Sequence, residues 1–163
     1  MHAIEIKNLS KAYKGFKIDN LNLTFPGGFI LGLIGENGAG KSTTIKLILD
    51  MVHKDSGSIS ILGQDHKSVS KEDIGVVMEE NGLPESFNAD EINAVFKNIY
   101  SAWNESEYYS YLKKFSLPLN KKIKDFSKGM KMKLYIAVAL SHNAKLLIFD
   151  EATSGLDPVV RDE

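Results

Sequence analysis

Cysteine is absent from the 163 residues, which removes disulfides, thiolate zinc sites and thiol catalysis and fits a reducing compartment. Any metal must therefore be oxygen-ligated. No run approaches the roughly 18 apolar residues of a membrane-spanning helix, and Met1-His2-Ala3-Ile4-Glu5 lacks the charged and apolar regions of a signal peptide. Charge of one sign is lacking too: 20 basic residues face 21 acidic ones, a net charge of -1. That balance gives no nucleic-acid footprint and no polybasic membrane anchor, and the lysines from Lys121 to Lys133 suit a solvated helix face. Repeats and low-complexity segments are missing as well. What remains, 43% hydrophobic and 25% charged, suits one globular domain with a real core, cytoplasmic and soluble when alone.

The most informative segment is Gly35-Glu36-Asn37-Gly38-Ala39-Gly40-Lys41-Ser42-Thr43, a complete G-x-x-x-x-G-K-[ST] phosphate loop. Backbone N–H groups can ring a polyphosphate only where glycines let the chain bend and approach closely, and Gly35, Gly38 and Gly40 supply that freedom. Lys41 stands where a helix should begin, so its ammonium adds to N–H groups and a macrodipole that already favour anions. Ser42 offers a hydroxyl to Mg²⁺. With glycine near 7% of average usage, a chance match in a chain this long is expected on the order of once in a hundred proteins or less. The flanks agree: Ile30-Leu31-Gly32-Leu33-Ile34 has the pattern of a buried strand, and Ile45, Ile48, Leu49 and Val52 follow at helical spacing.

The alternations Ile4/Ile6 and Leu21/Leu23/Phe25, broken at Lys14-Gly15 and closed by Pro26-Gly27-Gly28, predict antiparallel strands. Further strands are expected over Ser58 to Leu62 and Ile74 to Met78. From Asn88 the period becomes helical, with Ile92, Val95, Phe96, Ile99, Tyr100 and Trp103 on one stripe and Asn88 and Glu91 placed as a capping box. A second helix starts at Asn104 and carries Tyr108, Tyr111, Leu112 and Phe115; a third, capped by Ser127, runs from Lys128 to about Ser141. Aromatic residues at helical spacing are more commonly core than cofactor contacts. Leu146-Leu147-Ile148-Phe149 predicts a buried parallel strand, and Asp150-Glu151 places two carboxylates at its carboxyl end, the edge where parallel α/β sheets bind ligands. Asp150 is thereby a candidate Mg²⁺ ligand and Glu151 a candidate general base for the water that attacks a γ-phosphate.

Phe126-Ser127-Lys128-Gly129-Met130 before that strand and Ser154-Gly155-Leu156-Asp157 after it complete a pattern that resembles an ATP-binding cassette (ABC) ATPase subunit. The resemblance covers the whole chain: Walker A at Gly35 to Thr43, signature at Phe126 to Met130, Walker B at Leu146 to Glu151, and D-loop at Ser154 to Asp157. It implies an α/β fold, a P-loop NTPase core with an N-terminal antiparallel β subdomain and an inserted helical subdomain. Residues 1–81 would hold the β subdomain and Walker A core, 82–141 the helical subdomain, and 142–163 the Walker B strand and D-loop. The cofactors implied are ATP and Mg²⁺. Tyr13 resembles the aromatic that stacks on adenine, the alternative being an ordinary strand tyrosine. Glu151 would be the catalytic base, Ser42 and Asp150 the Mg²⁺ partners, and Lys41 the phosphate clamp. Ser127 and Gly129 would face the γ-phosphate of a second cassette, Asp157 would belong to the same composite site, and Glu79 occupies the Q-loop position near the metal.

The partners implied are a membrane-spanning permease subunit, which would carry the translocation pathway on another polypeptide, and a second cassette, identical or a sister. The location implied is cytoplasmic, peripheral on the inner face of the cell membrane. Three positions depart from the family pattern: Lys128 stands where a second glycine is usual, Met130 where glutamine is usual, and Glu79 where glutamine is usual. A lysine adds charge or crowds the site, and a methionine removes a hydrogen-bonding amide. Glu79 either touches the metal or is a solvated loop acid. The family continues for several tens of residues past the position of Glu163, including a switch histidine. The expectation is therefore a C-terminally truncated chain that retains ATP binding better than hydrolysis. Two other readings stay open: a module that regulates a partner by ATP occupancy with little turnover, and a soluble cassette ATPase unconnected with transport.

Overall fold

The alternating apolar residues near the N-terminus form a β-hairpin. β1 (His2–Tyr13) and β2 (Phe16–Pro26) pair antiparallel, with Ile4 opposite Phe25, Ile6 opposite Leu23 and Tyr13 opposite Phe16 across the turn Lys14-Gly15. The computed structural model describes residues 2–36, 38–78 and 82–150. β3 (Ser56–Ile61) adds to the other edge of β1, and β4 (Gln64–Asp65) follows it, giving the order β2-β1-β3-β4. Ile6 sits opposite Ile59 and Ile4 opposite Ile61, so alternation places all four on one buried face. Where β1 bulges between Lys7 and Ser10, Asn8 takes a left-handed φ of 50° and Gly57 one of 87°. A Cβ on Gly57 would lie 2.4 Å from the Asn8 carbonyl oxygen, so both backbone angle and space require glycine there.

Contacts divide the chain into two compact units, Met1–Ser70 and Lys71–Glu163. In the first, α1 (Lys41–Ile48) buries Thr44, Ile45, Leu47 and Ile48. It is shorter than its apolar spacing predicts, since Leu49 caps it and Asp50 turns left-handed at φ 56°, leaving Val52 outside. The predicted buried strand at residues 30–34 is a correction. The segment joins no sheet, with Ile30 and Ile34 104% and 94% exposed. A continuous apolar run becomes a buried strand only when strands flank it, and the antiparallel sheet of its own unit ends at β2 and β4 without pairing to it.

The second unit holds the helices and one parallel pair. β5 (Ile74–Val77) and β6 (Leu146–Phe149) run parallel with Ile74 opposite Leu146 and Val77 opposite Phe149, and the Asp150 N–H extends the ladder to the Val77 carbonyl at 2.9 Å. Gly75 permits this packing, because a Cβ there would meet Leu147 Cδ2 at 2.5 Å and the Ala139 carbonyl oxygen at 2.8 Å. Ile148 is the only buried residue of β6; Leu147 and Phe149 are 37% and 43% exposed, so the expectation of a fully buried strand is corrected.

α2 (Ala89–Ile99), α3 (Glu105–Lys114) and α4 (Lys128–Leu140) start where their caps predict. Their core centres on Ile92, Tyr108, Leu112, Ile123, Phe126 and Leu134. The Tyr108 hydroxyl donates to the Ala89 carbonyl at 2.9 Å, and burial pushes its pKa strongly up. Asn93, which is buried, ties α2 to α3. Its amide donates to Glu105 Oε1 at 2.7 Å while its carbonyl oxygen accepts from Trp103 Nε1 at 2.9 Å. The aromatic stripe packs as core, with Phe96 stacked on Tyr100 and Trp103, although Val95 and Ile99 turn outward.

At the start of α2 both halves of the capping box are present: Glu91 N–H donates to Asn88 Oδ1 at 2.9 Å, and Asn88 N–H donates to Glu91 Oε2 at 2.7 Å. Hydrogen bonds from the Lys122 ammonium and then from the Asn88 N–H hold the Glu91 carboxyl below the usual carboxylate range. A carboxyl with a depressed folded pKa lends stability above its unfolded value of about 4.3, and that contribution disappears as pH falls through the folded value. Thermal melts followed by circular dichroism between about pH 6 and pH 3 should therefore show a smaller fall in melting temperature for Glu91→Gln than for the parent protein. Equal falls would remove the cap from the acid response.

Candidate nucleotide-binding site

The phosphate loop acquires its shape from two left-handed glycines and one lysine. Gly38 and Gly40 adopt φ values of 82° and 92°, and Gly40 caps α1 without a side chain. The Ala39 N–H donates to the Glu36 carbonyl at 3.1 Å, while the Thr44 hydroxyl and N–H return to the Gly40 carbonyl at 2.9 and 2.8 Å. Lys41 folds back across the loop, its ammonium donating to the Gly35 carbonyl at 2.6 Å and the Glu36 carbonyl at 2.8 Å. The cation is thus held over the N-terminus of α1 among exposed backbone groups, where N–H donors, dipole and ammonium all favour one anionic ligand. A Cβ at Gly35 would make ordinary contact, 3.4 Å from Ala39 Cβ and 3.9 Å from Lys41 Cδ, so the strict backbone demand for glycine falls on Gly38 and Gly40. This donor set suits the oxygens of a polyphosphate.

The β1–β2 hairpin approaches the loop from one side. Phe16 Cζ lies 2.6 Å from the position of a Gly40 Cβ, and Ile18 Cγ1 lies 3.4 Å from it, so the same glycine serves helix entry and hairpin contact. Tyr13, opposite Phe16, is 46% exposed at the end of β1. The Lys11 ammonium stands 5.2 Å from the centre of its ring, within cation–π range. Asp55 holds that lysine at 2.9 Å through Oδ1 and takes the Ala12 N–H at 2.8 Å through Oδ2. The hydrogen bond to Asp55 raises the Lys11 pKa, and the bonds from Lys11 and then Ala12 hold Asp55 below the usual carboxylate range. Neither Lys11 nor Asp55 stands out in the sequence. The available signal is period-two spacing, which puts Lys11 and Tyr13 on one face of β1.

The first unit carries Tyr13 at the end of β1 and the loop residues Gly35, Glu36, Gly38, Ala39, Gly40, Lys41, Ser42 and Thr43, the last two in the first turn of α1. The second unit carries Asp150 directly after β6 and the signature at the start of α4. Ser127 caps α4, its hydroxyl oxygen accepting from the Met130 N–H at 3.2 Å, which leaves the hydroxyl hydrogen to donate elsewhere. Ser127 and Lys128 are exposed, Gly129 falls in the first turn, and Met130 packs against the helical core. The methionine thus fills an apolar role at a position where the family pattern has an amide. Asn37, Glu79, Glu151 and Asp157 lie outside the described residues.

The phosphate loop with its helix, and the acid-ended strand, each have counterparts in known proteins. A family model described as ABC transporter matches residues 18–154, most of the chain. The chain belongs to the ABC transporter family. It is 39% identical over 159 residues to the lantibiotic transport ATP-binding protein SrtF of Streptococcus pyogenes, which covers 96% of this chain and 69% of that protein. It is 37% identical over 163 residues to the bacitracin transport ATP-binding protein BcrA of Bacillus licheniformis, covering 96% of this chain and 53% of that one. The chain thus spans about two thirds of one relative and about half of the other. A solved structure described as an ATP-binding subunit of an ABC transporter superposes with a TM-score of 0.85 at 32% identity, covering 98% of this chain and 70% of that one. The α/β P-loop fold of this family is that of the present chain, and the protein is an ABC-type ATPase whose hydrolysis of ATP powers transport. Among the described residues no helix is long and apolar enough to cross a membrane.

Proposed function

We propose that this cassette binds Mg·ATP, closes against a second cassette and, on hydrolysis, drives a separate membrane-spanning permease subunit from the cytoplasmic face of the membrane. The observation that carries the reading is the Lys41 ammonium, held at the mouth of a glycine-shaped ring by the Gly35 and Glu36 carbonyls at the N-terminus of α1. Tyr13 stacks on adenine, the loop N–H groups from Gly35 to Thr43 surround the phosphates, and Lys41 exchanges carbonyl for phosphate oxygens. Ser42 and Asp150, with Glu79, are the oxygen donors that fit Mg²⁺, which when bound neutralises charge between the β- and γ-phosphates. Glu151 orients and deprotonates the attacking water. Ser127 and Gly129, at the start of α4, donate to the γ-phosphate held by the opposite cassette, and Asp157 completes that composite site.

The helix start supports the signature's part of this reading, because hydroxyl and first-turn N–H groups there form an anion site of the same physical kind as the phosphate loop. The relatives carry lantibiotic and bacitracin transport in their names, which favours transport of a compound of that kind as the task of the whole system. The near-neutral net charge gives no reason to propose a nucleic-acid partner. Isothermal titration with ATP, in the presence and absence of Mg²⁺, tests the site: saturable binding near one nucleotide per chain, tighter with the metal, is expected. Heat changes that never saturate would overturn the reading.

A further inference from the structure

We propose that Lys11 and Asp55 are positioning residues that hold Tyr13 as a base platform and so set how tightly the nucleobase, as distinct from the triphosphate, is bound. The inference rests on the nucleotide reading given above and deepens it. A tyrosine at the end of a hairpin strand has one neighbour across the ladder, Phe16, and an open turn beyond it. Backbone pairing therefore fixes its Cα but not its ring, and a ring that swings freely must be ordered by each base that stacks on it.

The structure removes that freedom through a chain of charged contacts. β3 leaves its ladder with β1 at the pair Ser10 and Ser56, and Asp55 stands at this point. Its N–H donates to the Ser10 carbonyl at 2.9 Å, while its two carboxylate oxygens take the Ala12 N–H and the Lys11 ammonium. The last residues of β1, still paired with β2, are thereby also clamped on the side where pairing with β3 has ended. The Lys11 side chain is only 17% exposed and ends over the Tyr13 ring, so the cation is both tethered below and stacked above. A cation on one face orients the ring and leaves its other face for a base. The partners that hold Lys11 are the Asp55 carboxylate and the Tyr13 ring, so the role argued for it concerns the base and not the phosphates.

Titration calorimetry of the whole chain with Mg·ATP and with Mg·tripolyphosphate, a base-free probe, tests the proposal. Lys11→Met and Asp55→Asn should each weaken ATP about threefold or more, and leave tripolyphosphate affinity unchanged. Lys11→Arg, which keeps a cation able to stack, should bind ATP like the parent protein. Tyr13→Ala should lose ATP affinity about fivefold or more, and Lys11→Met should add nothing in that background. Equal losses for both probes would mean a purely structural role and overturn the proposal. So would ATP affinity unaffected by Lys11→Met and Asp55→Asn while Tyr13→Ala is impaired. If Tyr13→Ala binds ATP normally, the fault lies instead with the assignment of Tyr13 to adenine.

Discussion

Replacing Lys41 with alanine is expected to weaken Mg·ATP binding by about 100-fold or more. The ammonium donates at 2.6 and 2.8 Å to the Gly35 and Glu36 carbonyls across the ring. Those two oxygens are neutral acceptors, whereas phosphate oxygens are charged, and hydrogen bonds to charged groups are roughly twice as strong as neutral pairs. Alanine removes the cation and leaves a negatively charged ligand facing backbone dipoles alone. Lys41→Arg would not restore the site, because a planar guanidinium cannot occupy the same compact point among carbonyls. Competition with a fluorescent adenine nucleotide gives the affinity. A circular dichroism spectrum and melt matching the parent protein would establish that the loss is local, and an affinity within about threefold of the parent would refute the clamp.

Changing Glu151→Gln is expected to lower phosphate release by about 100-fold or more while leaving Mg·ATP affinity intact. The amide keeps the size of the side chain and can still hold a water by hydrogen bonding. It cannot take a proton from it. Its sequence neighbour Asp150 closes the β5–β6 ladder with an N–H donated to the Val77 carbonyl. The neighbouring substitution separates the two acids: Asp150→Asn should raise the Mg²⁺ concentration needed for ATP binding, which Glu151→Gln should not. Phosphate release measured by a coupled assay, beside nucleotide retention on a desalting column, distinguishes them. Unchanged release in Glu151→Gln would move the base to another residue.

Much of the site is legible in one dimension because its parts are contiguous. The phosphate loop turn and the Ser127 cap each need only neighbouring residues and one backbone geometry, so spacing alone predicts their local shape. The same holds for the capping box at Asn88 and the hairpin turn at Lys14-Gly15. Elements defined by distant partners are less legible. The run at residues 30–34 has the apolarity of a buried strand, but apolarity states only that burial is favourable and not which strands provide it. Lys11 and Asp55 lie 44 positions apart, and neither residue type is unusual for an exposed strand or a loop. Met130 likewise carries two meanings, since its departure from the signature reads as a lost hydrogen bond until its packing against the helical core is seen.

The buried amide of Asn93 gives the helical unit a mechanical property. Its donor and its acceptor are each committed to a partner on the α3 side, Glu105 and the indole of Trp103. Sliding α2 along α3 by one turn would strand both groups away from water, at a cost of about 1 to 3 kcal/mol for each. Repacking of that kind is disfavoured against moving both helices together, so a push delivered at one end of the pair emerges at the other as displacement and not as distortion.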